Sequence, residues 1–332
     1  MRMLEQYHKE IASEVSGMVP TDDNTIVPVD ITSSARWFLS ERDDKVVNFR
    51  EMIPVALPPW PCCWLEFLTL KSLGYMNHSF GCLITTQSWT DDEDRKNLLV
   101  NDPLESIAFQ ATNQDVVDRE LKRRRAHLDK YLSDGILPRW SLAVLTTFPT
   151  KSGVLFKDYV SWMYLDETGA IMDKTWYSSF RNKGGEFVNN QPAHIQKKLE
   201  HALDLTVCAC LFSISLMHCK NVHFEDIVIP AAVQKKRTKR GIPRIQYKTL
   251  VIDPMHTQVR RERDEDPAGE QNTVKRALHI VRGHFKDYRE TGLFGKNHGL
   301  FWWDMHVAGT AKAGVVVKDY AVKPKLPTGQ NL

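Results

Sequence analysis

The sequence predicts an α+β protein: an antiparallel sheet packed on a central buried helix, followed by a smaller, basic, β-rich C-terminal unit. Three observations carry this. Residues 192–219 are of helix length, and from 202 to 217 they are almost wholly apolar; a helix apolar all round is a buried one. Three strand-like segments, 140–148, 153–165 and 171–178, follow one another, separated by the turn signals Pro149, Ser152-Gly153 and 166–169, as in a meander. Charge is unevenly spread. The chain of 332 residues carries 44 Lys+Arg against 41 Asp+Glu, yet residues 234–325 hold 20 against 10. A division near residue 225 follows, into an α+β domain (1–225) and a basic β-rich domain (226–332), in keeping with the length.

In chain order, residues 4–15 read as a short helix, followed by a Pro- and Asp-containing loop through Asp30. Prolines 54, 58, 59 and 61 forbid a helix in that stretch, since each lacks an N–H and restricts its predecessor. Residues 62–70 and 81–89 read as strands. A helix is expected over 103–132, with Asp102 as its cap, Pro103 in its first turn and Glu105 adding favourable charge. Leu121, Leu128 and Leu132 keep an apolar stripe there, which puts the run Lys122-Arg123-Arg124-Arg125 mostly on the wet side. After the buried helix come a basic run on a loop or hairpin, a strand at 247–252, a charged loop at 260–271, and short strands with Gly-containing turns over 273–322.

Composition narrows the function. The apolar fraction of 42% supports a packed core. No run of 18–20 apolar residues is seen, so no membrane contact is expected, and residues 1–14 lack the apolar stretch of a secretory leader. Six cysteines are too sparse for a disulfide scaffold. Cys62 and Cys63 are adjacent, and Cys208 and Cys210 point about 200° apart on a helix. With no C-x2-C pair they read as core thiols, with no metal site. A phosphate-binding Walker loop, G-x-G-x-x-G, H-E-x-x-H and G-x-S-x-G are all absent, so no cofactor is expected. A soluble cytoplasmic protein with reduced thiols is the expectation.

Two clusters bear chemistry. Lys235, Lys236, Arg237, Lys239 and Arg240 place five cations in six residues, a pattern that attracts phosphates by charge and counterion release without reading sequence. The block from 275 to 309 holds four of the chain's twelve histidines, interleaved with Arg282, Lys286, Tyr288, Trp302 and Trp303. If 278–285 is one strand, Ile280, Arg282 and His284 share a face while His279 and Val281 take the other; a bulge at Gly283 would alter that register. Metal-independent RNA cleavage needs a base, an acid and a cation for the phosphorane charge. His284 and His306 would be the proton-transfer pair, Arg282 the phosphate ligand and Tyr288 an accessory donor, with His279 in the same surface. The same residues suit binding, with Trp302 and Trp303 stacking on bases and Lys286 on phosphate.

The string R-x-x-H-I-x-R-G-H-F-x-x-Y, followed by a glycine-containing turn and a Trp-containing strand, resembles the C-terminal end of a family of uncharacterised phage and mobile-element proteins. ALPPWPCCWLEF (56–67) is similar to that family's "LP…W-(I/V)-E" segment, MHCKNV (217–222) to its helix-to-strand junction, and KKRTKRGIPRIQYKTLVI (235–252) to its basic hairpin and tyrosine strand. More distantly, the order of segments resembles the type V-A anti-CRISPR family that suppresses synthesis of the type V CRISPR effector nuclease. The resemblance implies an accessory protein acting in the bacterial cytoplasm on expression of a host gene, through RNA or a ribosome-associated nascent chain. HVAG (306–309) departs from the family in having Ala308 where arginine is more usual, which weakens a phosphate-binding role there. A ribonuclease and a protein-binding module docking an acidic partner remain the alternatives, and the host target is unknown.

Overall fold

The computed structural model describes residues 3–7, 10–11, 26–40, 49–68, 79–101, 114–150, 155–180, 193–240, 245–253, 277–281, 283–304, 306–308 and 310–315. The strands at 277–281, 306–308 and 310–315 are described by their backbone. The class is α+β, as predicted. The elements run α1 (Met3–Gln6), β1 (Val27–Asp30), α2 (Thr32–Ser40), α3 (Phe49–Met52), β2 (Cys62–Leu68), β3 (Ser79–Ser88), α4 (Asp92–Val100) and α5 (Gln114–Ser133). Next come β4 (Trp140–Pro149), β5 (Leu155–Leu165), β6 (Tyr177–Phe180), α6 (Ala193–Met217), β7 (Val222–Asp226), α7 (Ala231–Lys239) and β8 (Lys248–Ile252). The chain closes on β9 (Ala277–Val281), β10 (His284–Asp287), β11 (Leu300–Trp303), β12 (His306–Ala308) and β13 (Thr310–Val315).

Eight strands make the main sheet, in the order β6-β5-β4-β3-β2-β1-β8-β7. Strands β2 to β6 pair antiparallel in sequence order; the meander expected of the last three takes in β2 and β3 as well, and its third strand lies at Tyr177–Phe180, not over 171–178. The exception is β1, which runs parallel to both β2 and β8 where a loop was expected. Its Pro28 is tolerated because β8 pairs only with Val29 and Asp30. The division expected at residues 225/226 runs through this sheet: β7 ends at Asp226, and β8 lies beyond it, between β7 and β1.

Strand alternation sorts side chains onto two faces. Cys63, Leu65, Phe67, Cys82, Ile84, Leu142 and Val144 face α6 and α2 in one large core. Cys62, Trp64, Leu83, Leu145 and Val160 face the other way, onto Met3, Leu4, Tyr7 and Ile11. Gly81, in the middle of β3, belongs to that second face: a Cβ there would stand 2.1 Å from the Trp64 ring, so the indole lies flat on bare backbone. Five of the six thiols are buried and only Cys208 is half-buried. Burial pushes the Cys62 thiol up to about 11 and Cys63 and Cys210 above their ordinary range, which suppresses the reactive thiolate.

Helix α6 is the buried helix the sequence predicts, and its serines are satisfied locally. Ser215 Oγ donates to Val55 O at 2.6 Å and accepts from Val55 N at 3.3 Å, and Ser213 Oγ meets Ser34 Oγ at 2.8 Å. Against the expectation that no segment is long and apolar enough to cross a membrane, α6 meets that test from His194 to Met217. Of its apolar 18-residue window, 67% is buried inside the protein, so the apolar length serves the core.

Two further elements differ from the sequence expectation. Helix α4 was not foreseen: it has only Leu98 and Leu99 to bury, and is set by Asp91, whose carboxylate accepts from the N–H groups of Glu93 and Asp94. In α5 the basic run is not all solvated. Arg124 is 5% exposed, its guanidinium 5.2 Å over the Tyr164 ring and donating to Thr175 O. The expected Asp102 cap lies outside the described residues.

The polar start of α6 meets β5 and β6. Tyr159 Oη donates to Asp204 Oδ1 at 2.6 Å, Ser161 Oγ and Ser178 Oγ are 2.7 Å apart, and Trp176 Nε1 donates to Ser178 Oγ at 2.9 Å. Burial raises the Asp204 carboxyl above its ordinary range, against the opposing hydrogen bonds from Tyr159 and Ser178 and the charge of His201. Glu200, one turn earlier, is raised by burial and by Asp204. In the window between the ordinary and the raised value the folded state binds more protons than the unfolded chain, so stability falls as pH rises through it. Asp204→Asn should flatten this dependence, with thermal melts of the two proteins converging at the acid end of the window and the variant melting higher at its alkaline end.

Candidate nucleic-acid interface

Strands β10 and β11 form a two-stranded antiparallel sheet, and β9 is the middle strand of a second small sheet in the order β12-β9-β13. In β10–β11, His284 pairs with Trp303, Phe285 with Trp302, Lys286 with Phe301 and Asp287 with Leu300. In β9–β12, Val281 pairs with His306, Ile280 with Val307 and His279 with Ala308. At Gly283, just before β10, a Cβ would stand 2.6 Å from the Trp302 ring and 2.7 Å from that of Trp37. Two indoles occupy the space beside the backbone.

The β10–β11 hairpin has two unlike faces. Phe285, Trp302 and Leu300 point inward. The Trp302 ring meets Trp37 edge-on at 4.9 Å, Phe212 at 5.3 Å and Phe285 at 4.8 Å. Asn221, at the end of the helix-to-strand junction, clasps the strand from behind: its Oδ1 accepts from Trp302 N at 3.0 Å and its Nδ2 donates to Trp302 O at 2.9 Å. Lys220 N donates to Leu300 O at 2.8 Å. Trp302 is 2% exposed, so the expectation that it stacks on bases is corrected: it anchors the hairpin to the core.

The outer face collects four of the predicted residues, His284, Lys286, Tyr288 and Trp303. His284, Lys286 and Tyr288 alternate along one strand opposite Trp303 and Phe301. Lys286 Nζ lies 4.2 Å over the Trp303 ring, and Tyr288 meets Phe301 edge-on at 5.9 Å. Leu293 folds back beneath them, and with Phe301 makes a small cluster onto which Tyr288 and Trp303 pack. His284, Lys286, Tyr288 and Trp303 are each half-buried, so aromatic surface, an imidazole and an ammonium share one patch.

The hairpin loop is tied to itself. Arg289 Nε donates to both Asp287 carboxylate oxygens, at 3.0 and 2.9 Å, which lowers the Asp287 carboxyl below its usual range and raises Arg289. His298 Nδ1 is 3.0 Å from Arg289 O. At the tip Phe294 is 56% exposed with φ of 55°, a left-handed backbone unusual for an aromatic residue. Phe294 belongs to no motif of the sequence, and Asn221 shows there only as part of the 217–222 junction.

The ladder does not bring His284 and His306 together. His306 is opposite Val281 in the β12-β9-β13 sheet, and His284 is opposite Trp303 in the β10–β11 sheet. The side chains of His279 and His306, and all of Arg282, lie outside the described residues. Burial lowers the His218 imidazole, beside the junction, below its ordinary range, against a backbone hydrogen bond at Leu57 O, 2.6 Å from Nε2.

The basic run lies on a helix, not the loop or hairpin expected. Lys235, Lys236, Arg237 and Lys239 occupy α7 and Arg240 is its C-cap; cations in a last turn are favoured by the helix dipole. At the foot of α7 lies a depression of about 240 Å³ lined by Asp226, Val228, Ile229, Gln234, Ile245 and Gln246. It is smaller than the ~300–1,000 Å³ of small-molecule sites. Compared with protein-family models, with curated proteins and with solved structures, the chain matches none.

Proposed function

We propose that this chain is an RNA-binding regulator of the phage or mobile-element type that its C-terminal block resembles, lowering expression of a host gene in the bacterial cytoplasm. The observation that carries the reading is the two-faced hairpin. One face is bolted to the core through Trp302, and the other presents Trp303, Tyr288, Lys286 and His284 together. Single-stranded RNA is recognised by this combination of aromatic platforms and cations. In the free protein Lys286 covers the Trp303 ring; moving the ammonium onto a phosphate uncovers the ring for a base. The contacts among the resembling segments support the same reading, since the junction residue Asn221 holds Trp302, and Glu66 of the 56–67 segment accepts from Tyr247 Oη at 2.8 Å.

Binding is favoured over cleavage because His284 and His306 sit in separate sheets, paired with Trp303 and with Val281, and share no ladder. The test is incubation of purified protein with labelled total bacterial RNA in EDTA, scored for retention and for cleavage. Retention without cleavage is expected, and Trp303→Ala should weaken it about 5- to 150-fold, the range for losing one stacked base at 1–3 kcal/mol. Cleavage lost in His284→Ala would instead establish a ribonuclease. Neither retention nor cleavage would reject RNA and leave the protein-binding module.

A further inference from the structure

Helix α7 buries nothing: all its residues are exposed or half-exposed. Packing of an apolar face does not hold it, and a nine-residue helix has little stability of its own. Its cations also do not form a stripe. At about 100° per residue, Lys235, Lys239, Lys236, Arg240 and Arg237 follow one another around an arc of about 200°. Gln234 and Thr238 occupy the remaining side, where Thr238 Oγ1 donates to Gln234 O at 3.1 Å. A strand lying along a helix meets one stripe of side chains. An arc of this width faces two separate rows of negative charge, as where two phosphate backbones border the groove of a duplex. In A-form RNA the major groove is narrow, so a helix laid across its mouth reaches both rows without reading bases. No aromatic residue of α7 would stack on an unpaired base.

The hairpin face has the opposite character, with Trp303 and Tyr288 beside two basic groups. The two surfaces belong to opposite ends of β7. Asn221, which holds Trp302, immediately precedes the strand, and α7 starts beyond its far end, after about 16 Å of extended chain.

We propose that the RNA this chain takes has one particular shape, a base-paired stem continuing into an unpaired segment, with α7 on the stem phosphates and the Trp303 face on the unpaired bases. The proposal rests on the RNA-binding reading above and adds the ligand's form. Linking two weak contacts in one ligand makes the second intramolecular, so the stem with a tail should bind about 10²- to 10⁴-fold tighter than either part.

The experiment measures anisotropy of three labelled RNAs: an unpaired oligonucleotide, a blunt hairpin, and the hairpin carrying that oligonucleotide as a tail. The proteins are the full chain, Trp303→Ala, and a variant with Lys235, Lys236, Arg237, Lys239 and Arg240 all changed to glutamine. The glutamine variant should lose the hairpin, keep the unpaired oligonucleotide, and lose about four units of salt slope on the tailed hairpin. Trp303→Ala should do the reverse, losing the oligonucleotide and keeping the hairpin. A tailed hairpin that binds no tighter than its better half, or variants that weaken both parts alike, would overturn the proposal while leaving RNA binding intact. Binding to none of the three would overturn the RNA reading as well.

Discussion

Trp302→Ala is expected to lower stability by about 3–5 kcal/mol, measured by chemical denaturation, whereas Trp303→Ala next to it should cost far less. The contrast follows from one step of strand alternation. Trp302 is 2% exposed and closes an aromatic cluster with Trp37, Phe212 and Phe285; Trp303 is half-buried over Leu293 and Phe301. Truncating the inner indole leaves a cavity between α2, α6 and the hairpin that Gly283, with no side chain, cannot fill. The backbone of residue 302 would still be clasped by Asn221, which limits relaxation and keeps the cavity open. Loss of RNA binding in Trp302→Ala would accompany unfolding, while in Trp303→Ala it should occur at an almost unchanged melting temperature. Equal stability loss in the two variants would mean that the register of β10 on β11 is wrong.

That pair of tryptophans also marks where the sequence stops being legible. The alternation of His284, Lys286 and Tyr288 is visible in the sequence, and so is the adjacency of Trp302 and Trp303. Which indole faces the core depends on how β11 pairs with β10, and no local pattern encodes it. Helix α6 and the strands β4 and β5 are legible because apolar length and turn residues are local signals, whereas the third strand of the meander sits later than its apolar pattern suggests. Strand β1 is not, being four residues long with a proline inside; it is a strand because β2 and β8 lie on either side of it. Helix α7 had a readable signal, a run of helix-forming residues after Pro230, but the density of charge argued for a solvated turn instead. Arg124 shows the reverse case, a charge buried because Tyr164 and Thr175 O, about 40 and 50 residues away, receive it.

Glu66→Ala should be the second large effect, about 3–5 kcal/mol, and its consequences should be local. The Glu66 side chain is 6% exposed and accepts four hydrogen bonds: from Met3 N at 3.1 Å, Leu4 N at 3.5 Å, Trp64 Nε1 at 3.1 Å and Tyr247 Oη at 2.8 Å. All four partners donate, which suits an acceptor-only carboxylate. A strand residue thereby supplies the acceptors for the first N–H groups of α1, a helix of four residues too short to persist without them. With alanine, each buried donor that loses its acceptor costs about 1–3 kcal/mol, tempered where water reaches the chain start. Glu66→Gln keeps one carbonyl oxygen but turns an N–H₂ toward the remaining donors, so an intermediate loss of about 1–3 kcal/mol is expected. Tyr247→Phe removes one donor and leaves the carboxylate its other three, for about 1 kcal/mol. Hydrogen exchange separates the mechanism from general destabilisation. In Glu66→Ala, residues 3–7 should lose protection well before α6 does, because the tie that is cut joins α1 to the sheet and not the sheet to its central helix. Uniform loss of protection across the chain would show instead that Glu66 supports the β2 strand itself.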